Sequence, residues 1–286
     1  MSAALQQLID SLKLERLEEN LFRGTVTDTL VKRVYGGKVL GESIKAAQST
    51  VDSNRTVHSI HGYFLREADS HNPIIYEVDR SRDGRSFSAR RVTAIQYGVP
   101  VFTLEASFHI PEEGREYQRP MPEVPPPEAI APLVYDRDHI GKLPARIQRM
   151  FNITSPFDLR PIDGISGARD DEGNPIRRVW VKTVAPLPDD FTLHRAILAY
   201  FSDYGLIWTV ISHHGFTLQD ERLGVASLDH AMWFHRPFRM DEWLLYHCEG
   251  VSTSAARGLA RGAFYRRSGE LVVSATQEGL MRVLTG

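Results

Sequence analysis

Residues 93–108, TAIQYGVPVFTLEASF, and residues 262–279, GAFYRRSGELVVSATQEG, read as one hairpin written twice. In each, two strand-like runs flank a turn carrying a glycine, Gly98 in the first copy and Gly269 in the second. Alternation puts Phe102, Leu104, Ala106 and Phe108 on one face of the first copy and Thr103, Glu105 and Ser107 on the other. The apolar set is the face expected to meet a helix. In the second copy that face reads Val273, Ala275, Gln277 and Gly279, so an amide replaces an alanine on the side expected to be buried. An unsatisfied buried polar group costs about 1–3 kcal/mol, and the copy that keeps Ala106 shows that the fold does not demand one. Gln277 is therefore either a structural amide bonded to irregular backbone or part of a site.

The duplication extends beyond the hairpin. A shift of 170 positions superposes Tyr63-Phe64-Leu65-Arg66 on Trp233-Phe234-His235-Arg236, Ile74-Ile75-Tyr76 on Leu244-Leu245-Tyr246, and Arg91 on Arg261; one residue more brings Gly98 onto Gly269. Each half then runs helix first, followed by antiparallel strands. In the first, Gly36 to Gly41 leads into a helix over 42–51, with strands near 57–65, 73–81, 86–97 and 100–110. In the second, the helix precedes strands near 223–234, 243–251, 256–267 and 270–282. A helix against a curled antiparallel sheet in each half is an α+β architecture. The segments 111–132 (with VPPPEAIAP) and 163–175 (DGISGARDDEGNP) read as linker or loop, the former able to cover the sheet. The expected division is 1–115, a connecting and covering segment 116–175, and 176–286.

The helix of the second half is the run AILAYFSDYGLIWTVI, residues 196–211, whose one charge is Asp203. It falls short of the roughly 18–20 apolar residues of a membrane span, and a buried soluble helix is expected. Asp189 and Asp190 precede it, at the positive end of the helix dipole. Spacing by three and four places Ala196, Ala199, Tyr200, Asp203, Ile207 and Val210 on one face. An ionised carboxylate lodged there is costly unless bonded or paired, which makes it a candidate for catalysis or for a structural bond to backbone.

Composition narrows the classes. The chain has 286 residues, 42% hydrophobic and 24% charged, with a formal charge of -2, so it offers no basic footprint for nucleic acid. Residues 1–20 alternate apolar and charged positions as a short surface helix would and lack a signal-peptide core, so neither export nor stable membrane insertion is indicated. The single cysteine, Cys248, excludes an intramolecular disulfide, fits a reducing compartment, and reads as a small buried thiol within LLYHCEG.

Other chemistries find little support. In the strand over 223–234, Ser227 and Asp229 share one face while Leu228, His230 and Met232 share the other, which opposes a Ser-His-Asp triad; the chain also has no G-x-S-x-G elbow. His213 and His214 are adjacent, not spaced as metal ligands, and read as polar residues at a helix end. His58 and His61 fall on opposite faces of their strand. Gly36, Gly37 and Gly41 do not form a dinucleotide fingerprint and suit close packing at a helix start. Arg82, Arg85, Arg90 and Arg91 are either exposed on a strand edge or positioned to meet phosphates.

The segments VYGGKVLGESIKAA (34–47), VHSIHGYFLREADS (57–70), RDGRSFSARRVTAIQYG (82–98), SLDHAMWFHRPF (227–238), DEWLLY (241–246) and ARGLARGAFYRRSGELVVSATQEGLMR (256–282) together resemble the bacterial acyl-CoA thioesterase II family over essentially the whole chain. The resemblance implies a tandem double hotdog, each half a long central helix wrapped by a curled antiparallel β-sheet. It implies hydrolysis of fatty acyl-CoA to free acid and coenzyme A, without a metal or bound cofactor, in a homo-oligomer; the absence of an export signal and the single cysteine make a cytoplasmic location the expectation. It also implies a catalytic set of Asp203, Ser227 and Gln277, with serine where threonine is usual. Lys38 and Glu67-Ala68 depart from the family's Gln and Pro-Gly at these positions. Two alternatives share the ligand: a hotdog enoyl-CoA hydratase, which would release no thiol, and a non-catalytic acyl-CoA binding protein.

Overall fold

The computed structural model describes residues 2–26, 32–133, 155–164, 167–216, 220 and 222–284. The first half contains α1 (Ala3–Ser11), β1 (Leu14–Glu18), β2 (Leu21–Gly24), α2 (Gly36–Gln48), β3 (Thr56–Phe64), β4 (Ile75–Asp83), β5 (Phe87–Gln96) and β6 (Val99–His109). After a 3-10 turn at Pro127–Ala129 come β7 (Phe157–Pro161), β8 (Ala168–Arg169), β9 (Pro175–Thr183), α3 (Phe191–Ser202), α4 (Trp208–His213), β10 (Leu223–Ser227), β11 (Asp229–Phe234), β12 (Leu244–Ser254), β13 (Arg257–Arg266) and β14 (Leu271–Val283).

The strands form one sheet in the order β1-β2-β4-β5-β6-β3-β11-β14-β13-β12-β9-β7, with β10 against β14 and β8 against β9. This order is a palindrome of the two halves. β3 corresponds to β11, β6 to β14, β5 to β13 and β4 to β12, and the halves join where β3 pairs antiparallel with β11. The central pair is His61↔Ala231, two positions related by the 170-residue shift, flanked by Ser59↔Trp233 and Tyr63↔Asp229. Equivalent strands thus meet about a local two-fold axis, as a duplicated chain folding onto itself would arrange them. The result is the tandem double hotdog expected from the sequence.

The inner face holds the core. Phe102, Leu104, Ala106 and Phe108 on β6 are buried, as are Val273, Ala275 and Gln277 on β14, in agreement with the alternation. Two helices fill the space behind the sheet and touch backbone to backbone. A Cβ at Gly37 would lie 2.1 Å from the carbonyl oxygen of Tyr200, and one at Gly41 would lie 2.9 Å from that of Ala196. The glycines of the helix start thus serve close packing, with the amino terminus of α2 beside the carboxyl end of α3. Asp190 caps α3, accepting from the amides of Thr192 and Leu193.

Several elements differ from the sequence reading. The run 196–211 is not one helix: α3 stops at Ser202, Gly205 takes φ +79°, and α4 begins at Trp208. The helix expected at 42–51 starts six residues earlier, because Gly36 to Gly41 form its first turns. The expected surface helix over 1–20 ends at Ser11, buries Leu5 and Leu8, and gives way to the β1–β2 hairpin. A bulge at His58 turns it to the outer face with His61; His58 Nε2 lies 2.8 Å from Ser107 Oγ, and His61 packs on Trp233.

The outer face of the second half carries a smaller apolar cluster of Trp180, Leu245 and Tyr265, which Met121 and Val124 cover. Trp180 Nε1 donates to Pro125 O at 2.9 Å, Gln118 Nε2 donates to Gly269 O at 2.7 Å, and Arg267 pairs with Glu128 at 2.7 Å. β7 and β8 extend the sheet beside β9. Cys248 is buried, and burial pushes its thiol up to about 12. Among the described residues, no helix is long and apolar enough to cross a membrane.

The glycine contact generates a direct test. Gly41→Ala forces a methyl group against the α3 backbone and is expected to cost about 1–3 kcal/mol of stability, read from the urea midpoint. Gly37→Ala, with its shorter approach, is expected to cost more.

Candidate functional site

Asp203, Ser227 and Gln277 come from three separate elements and meet at the carboxyl end of α3. Asp203 is the residue immediately after the last helical one, with φ -74° and ψ -9°. Gln277 lies on the inner face of β14 and is fully buried. Its Nε2 donates to Asp203 Oδ1 at 2.6 Å and to Ser227 Oγ at 3.1 Å. Ser227 Oγ donates to the same Oδ1 at 3.4 Å. The other carboxylate oxygen, Oδ2, accepts from the Gly37 amide at 3.1 Å.

The electrostatics follow from the helix ends. A carboxylate at the negative end of its own helix is disfavoured, but Asp203 also faces the amino terminus of α2, where free amides and the positive dipole end favour it. Burial dominates and pushes the carboxyl up to about 6, against the opposing pull of Gln277, the Gly37 amide, Ser227 and Arg33. Gln277 spends its amide hydrogens on Asp203 and Ser227, leaving its buried Oε1 without a partner among the described residues. The arrangement therefore offers a carboxylate whose hold on its proton is strengthened by burial, a hydroxyl and an unused carbonyl acceptor within one cluster. Such a cluster can orient water and take up its proton.

Ser227 reaches Asp203 because the strand read over 223–234 is broken. β10 pairs Ser227 with Gly279, while β11 pairs Ala231 with Thr276, so one extra residue bulges out between them. The bulge overturns the simple alternation: both Ser227 and His230 point to the end of α3. They do not form a triad, since His230 Nε2 lies 2.8 Å from Ser202 Oγ, and Asp229 accepts from the Glu278 amide at 2.7 Å.

The corresponding place in the first half is built with the opposite charge. Gln277 pairs across the sheet with Ala260; the duplicate positions are Ala106 and Arg90, which also pair. Arg90 is buried, contrary to both readings of the arginine cluster. Its guanidinium donates to Thr50 Oγ1 and Thr50 O just beyond α2, to the carbonyls of Arg82 and Ala89, and to Asp83. A cation there suits the negative end of α2. Arg91 pairs with Glu105 on the outer face. Lys38 is also buried: it pairs with Glu42 at 2.8 Å and donates to Thr25 O, while Tyr76 donates to the other Glu42 oxygen at 2.6 Å. Burial pushes the Glu42 carboxyl up, against the pull of Lys38. Glu67 pairs with Arg33 at the surface.

Residue types alone do not announce the Gly37 amide as a partner of Asp203. The glycine-rich helix start was visible, but the approach of the two helices was not. His213 and His214 stand at the end of α4, and among the described residues no group of three or more His, Cys, Asp or Glu side chains is arranged to hold a metal ion.

Comparison with known proteins agrees with this architecture. The acyl-CoA thioesterase family model matches residues 166–280, and the acyl-CoA thioesterase N-terminal domain model matches residues 27–109. Acyl-CoA thioesterase 2 of Haemophilus influenzae is 36% identical, with 99% of each chain covered. The crystal structure of acyl-CoA thioesterase II TesB2 from Mycobacterium marinum superposes with a TM-score of 0.80 at 39% identity, covering 99% of this chain and 100% of that one. A hot dog fold protein from Alicyclobacillus acidocaldarius, at 20% identity, shares the fold with a TM-score of 0.78 over the full length of both chains. With both halves matched and a relative at 36% identity along the whole chain, this protein belongs to the acyl-CoA thioesterase family.

Proposed function

We propose that this protein hydrolyses fatty acyl-CoA to free fatty acid and coenzyme A, with Asp203, Ser227 and Gln277 activating the attacking water. The observation that carries the reading is the junction of Asp203 with Gln277, Ser227 and the Gly37 amide, in a chain of this family. Asp203 is the general base. One water proton goes to its carboxylate and the other is held by Gln277 Oε1, the acceptor left unused in the cluster. The water oxygen forms a bond to the thioester carbonyl carbon; the tetrahedral intermediate then collapses, the carbon–sulfur bond breaks, and the thiolate leaves with the electron pair. Asp203 returns its proton to the departing sulfur or to solvent. Ser227 and Gln277 hold the carboxylate in one orientation, so little is lost to reorganisation during the reaction.

The same reading retains hotdog units at 1–115 and 176–286 with 116–175 between them, a homo-oligomer as in the family resemblance, and a cytoplasmic location. A single cysteine, buried and held protonated, supports a reducing compartment.

Thiol release from palmitoyl-CoA and a short acyl-CoA, followed with a thiol-trapping dye, tests the reaction. Asp203→Asn is expected to lower kcat by about 10²–10⁴-fold, the range of general-base catalysis, while leaving the circular dichroism spectrum unchanged. Absence of release by wild type across chain lengths overturns hydrolysis and directs the search to enoyl-CoA hydration. Ser227→Ala and Gln277→Leu each remove a bond to a charged group and are expected to cost about 10- to 100-fold.

The base must be ionised, and burial pushes its carboxyl up to about 6, above the usual carboxylate range. The rate constant kcat/KM is therefore expected to be level above that pH and to fall about tenfold per unit below it. A profile flat down to pH 4.5 contradicts the assignment. In single-turnover hydrolysis in oxygen-18 water, attack of water on the thioester labels only the product, and oxygen-18 in the Asp203 carboxylate identifies direct attack by Asp203 with the anhydride opened at its carboxyl carbon.

A further inference from the structure

We infer that His230 and Ser202 form a positioning pair that fixes the end of α3 and thereby aims Asp203; the inference rests on Asp203 being the base. Both side chains are fully buried, and neither belongs to the hydrogen-bonded cluster of Asp203, Ser227 and Gln277. Ser202 is the last residue of α3, adjacent to Asp203 in the chain. Its hydroxyl has two acceptors, Ala199 O at 2.9 Å and Met232 Sδ at 3.4 Å, and with its hydrogen directed to either, its oxygen is the acceptor for His230 Nε2 at 2.8 Å. This fixes the imidazole tautomer, with the proton on Nε2. Burial pushes the ring down to about 3, which keeps it neutral throughout the working range. Tyr246 donates to the Ser202 carbonyl at 2.9 Å. The residue preceding Asp203 is thus held at its hydroxyl by β11 and at its carbonyl by β12.

The cost of this arrangement argues for a purpose. His230 Nδ1 is buried and has no partner among the described residues, so a purely packing role would be filled better by an apolar side chain. The bulge after Ser227 gives the imidazole its direction: the same irregularity presents Ser227 to Asp203 and His230 to Ser202. One short stretch of strand therefore both bonds the carboxylate and clamps the backbone from which it projects. Without the clamp, the helix end is free to fray and the carboxylate loses its alignment with the Gly37 amide and Gln277.

The test compares Ser202→Ala, His230→Leu, His230→Gln and the Ser202→Ala/His230→Leu double variant in the full-length protein. Each is assayed for kcat, KM and the acid limb of kcat/KM, and the Asp203 carboxyl is titrated by carbon-13 NMR. The two deletions are expected to lower kcat at least about tenfold with KM within about twofold, since small misalignments of a reacting group carry losses of this order. Their losses should not multiply in the double variant, the Asp203 titration should move away from its wild-type position, and His230→Gln, which keeps a donor near the Nε2 position, should restore most of the rate. Folded deletion variants with wild-type kcat and an unmoved carboxyl titration overturn the pair, as do losses that multiply. Should Asp203→Asn retain full activity, the general-base reading fails instead; the NMR titration, which needs no activity, still decides whether the pair positions the carboxylate.

Discussion

The contact on which this molecule depends is the backbone approach of α2 to α3 at Gly37 and Gly41. Two helices ordinarily stand 8–10 Å apart because side chains separate them. Here glycines let the amino terminus of α2 reach the carboxyl end of α3, so that the free amide of Gly37 meets the carboxylate of Asp203. Asp203 sits against the field of its own helix and is favoured by that of the other. Part of its stabilisation therefore comes from the opposite half of the chain, and the cluster would be incomplete in either half alone.

Duplication supplied two equivalent places, and they have diverged in opposite electrostatic directions. In the second half the inward pair is Gln277 and Ala260, with a carboxylate beyond the helix; in the first it is Ala106 and Arg90, with a guanidinium bonded to Thr50 beyond the helix. Arg90 is tied to carbonyls, a hydroxyl and Asp83, an arrangement that stabilises the fold. Gln277 leaves a buried acceptor open among the described residues, and burial pushes the Asp203 carboxyl up to about 6. Incomplete satisfaction in one half beside satisfaction in the other distinguishes the candidate site from its counterpart.

Much of this was legible residue by residue. Alternation identified Gln277 as polar on a buried face because strand period is a local property. Asp203 stood out as a lone charge in an apolar run. Its exact setting did not, since Gly205 breaks that run and turns a mid-helix carboxylate into one at a helix end. Alternation showed Ser227 only as a polar residue sharing a face with Asp229, and its place beside Asp203 came from the resemblance, because that reach depends on a bulge created by a register difference between two strand pairings. The short strands at 14–18, 21–24, 157–161 and 168–169 lie outside the sequence reading for a related reason, and so does the longer strand at 175–183, where Arg177-Arg178 interrupts the apolar alternation. Short edge strands such as LERLE carry little apolar alternation and exist through pairing with a neighbour. Charged residues are usually exposed, and only folded partners reveal that Thr50 and Asp83 receive Arg90 and that Glu42 receives Lys38.

By itself, the sequence determined the duplication, the α+β plan, the inward faces of β6 and β14 and the positions of the anomalous polar residues. These depend on periodicity and residue type within a few turns or strand positions of the chain. Only the tertiary structure decided which helix amide meets Asp203, how Ser227 and His230 share one bulge, and which half is closed by Arg90. Those features require groups as far apart as Gly37 and Asp203 to converge, and convergence follows from the packing of two helices against one continuous sheet.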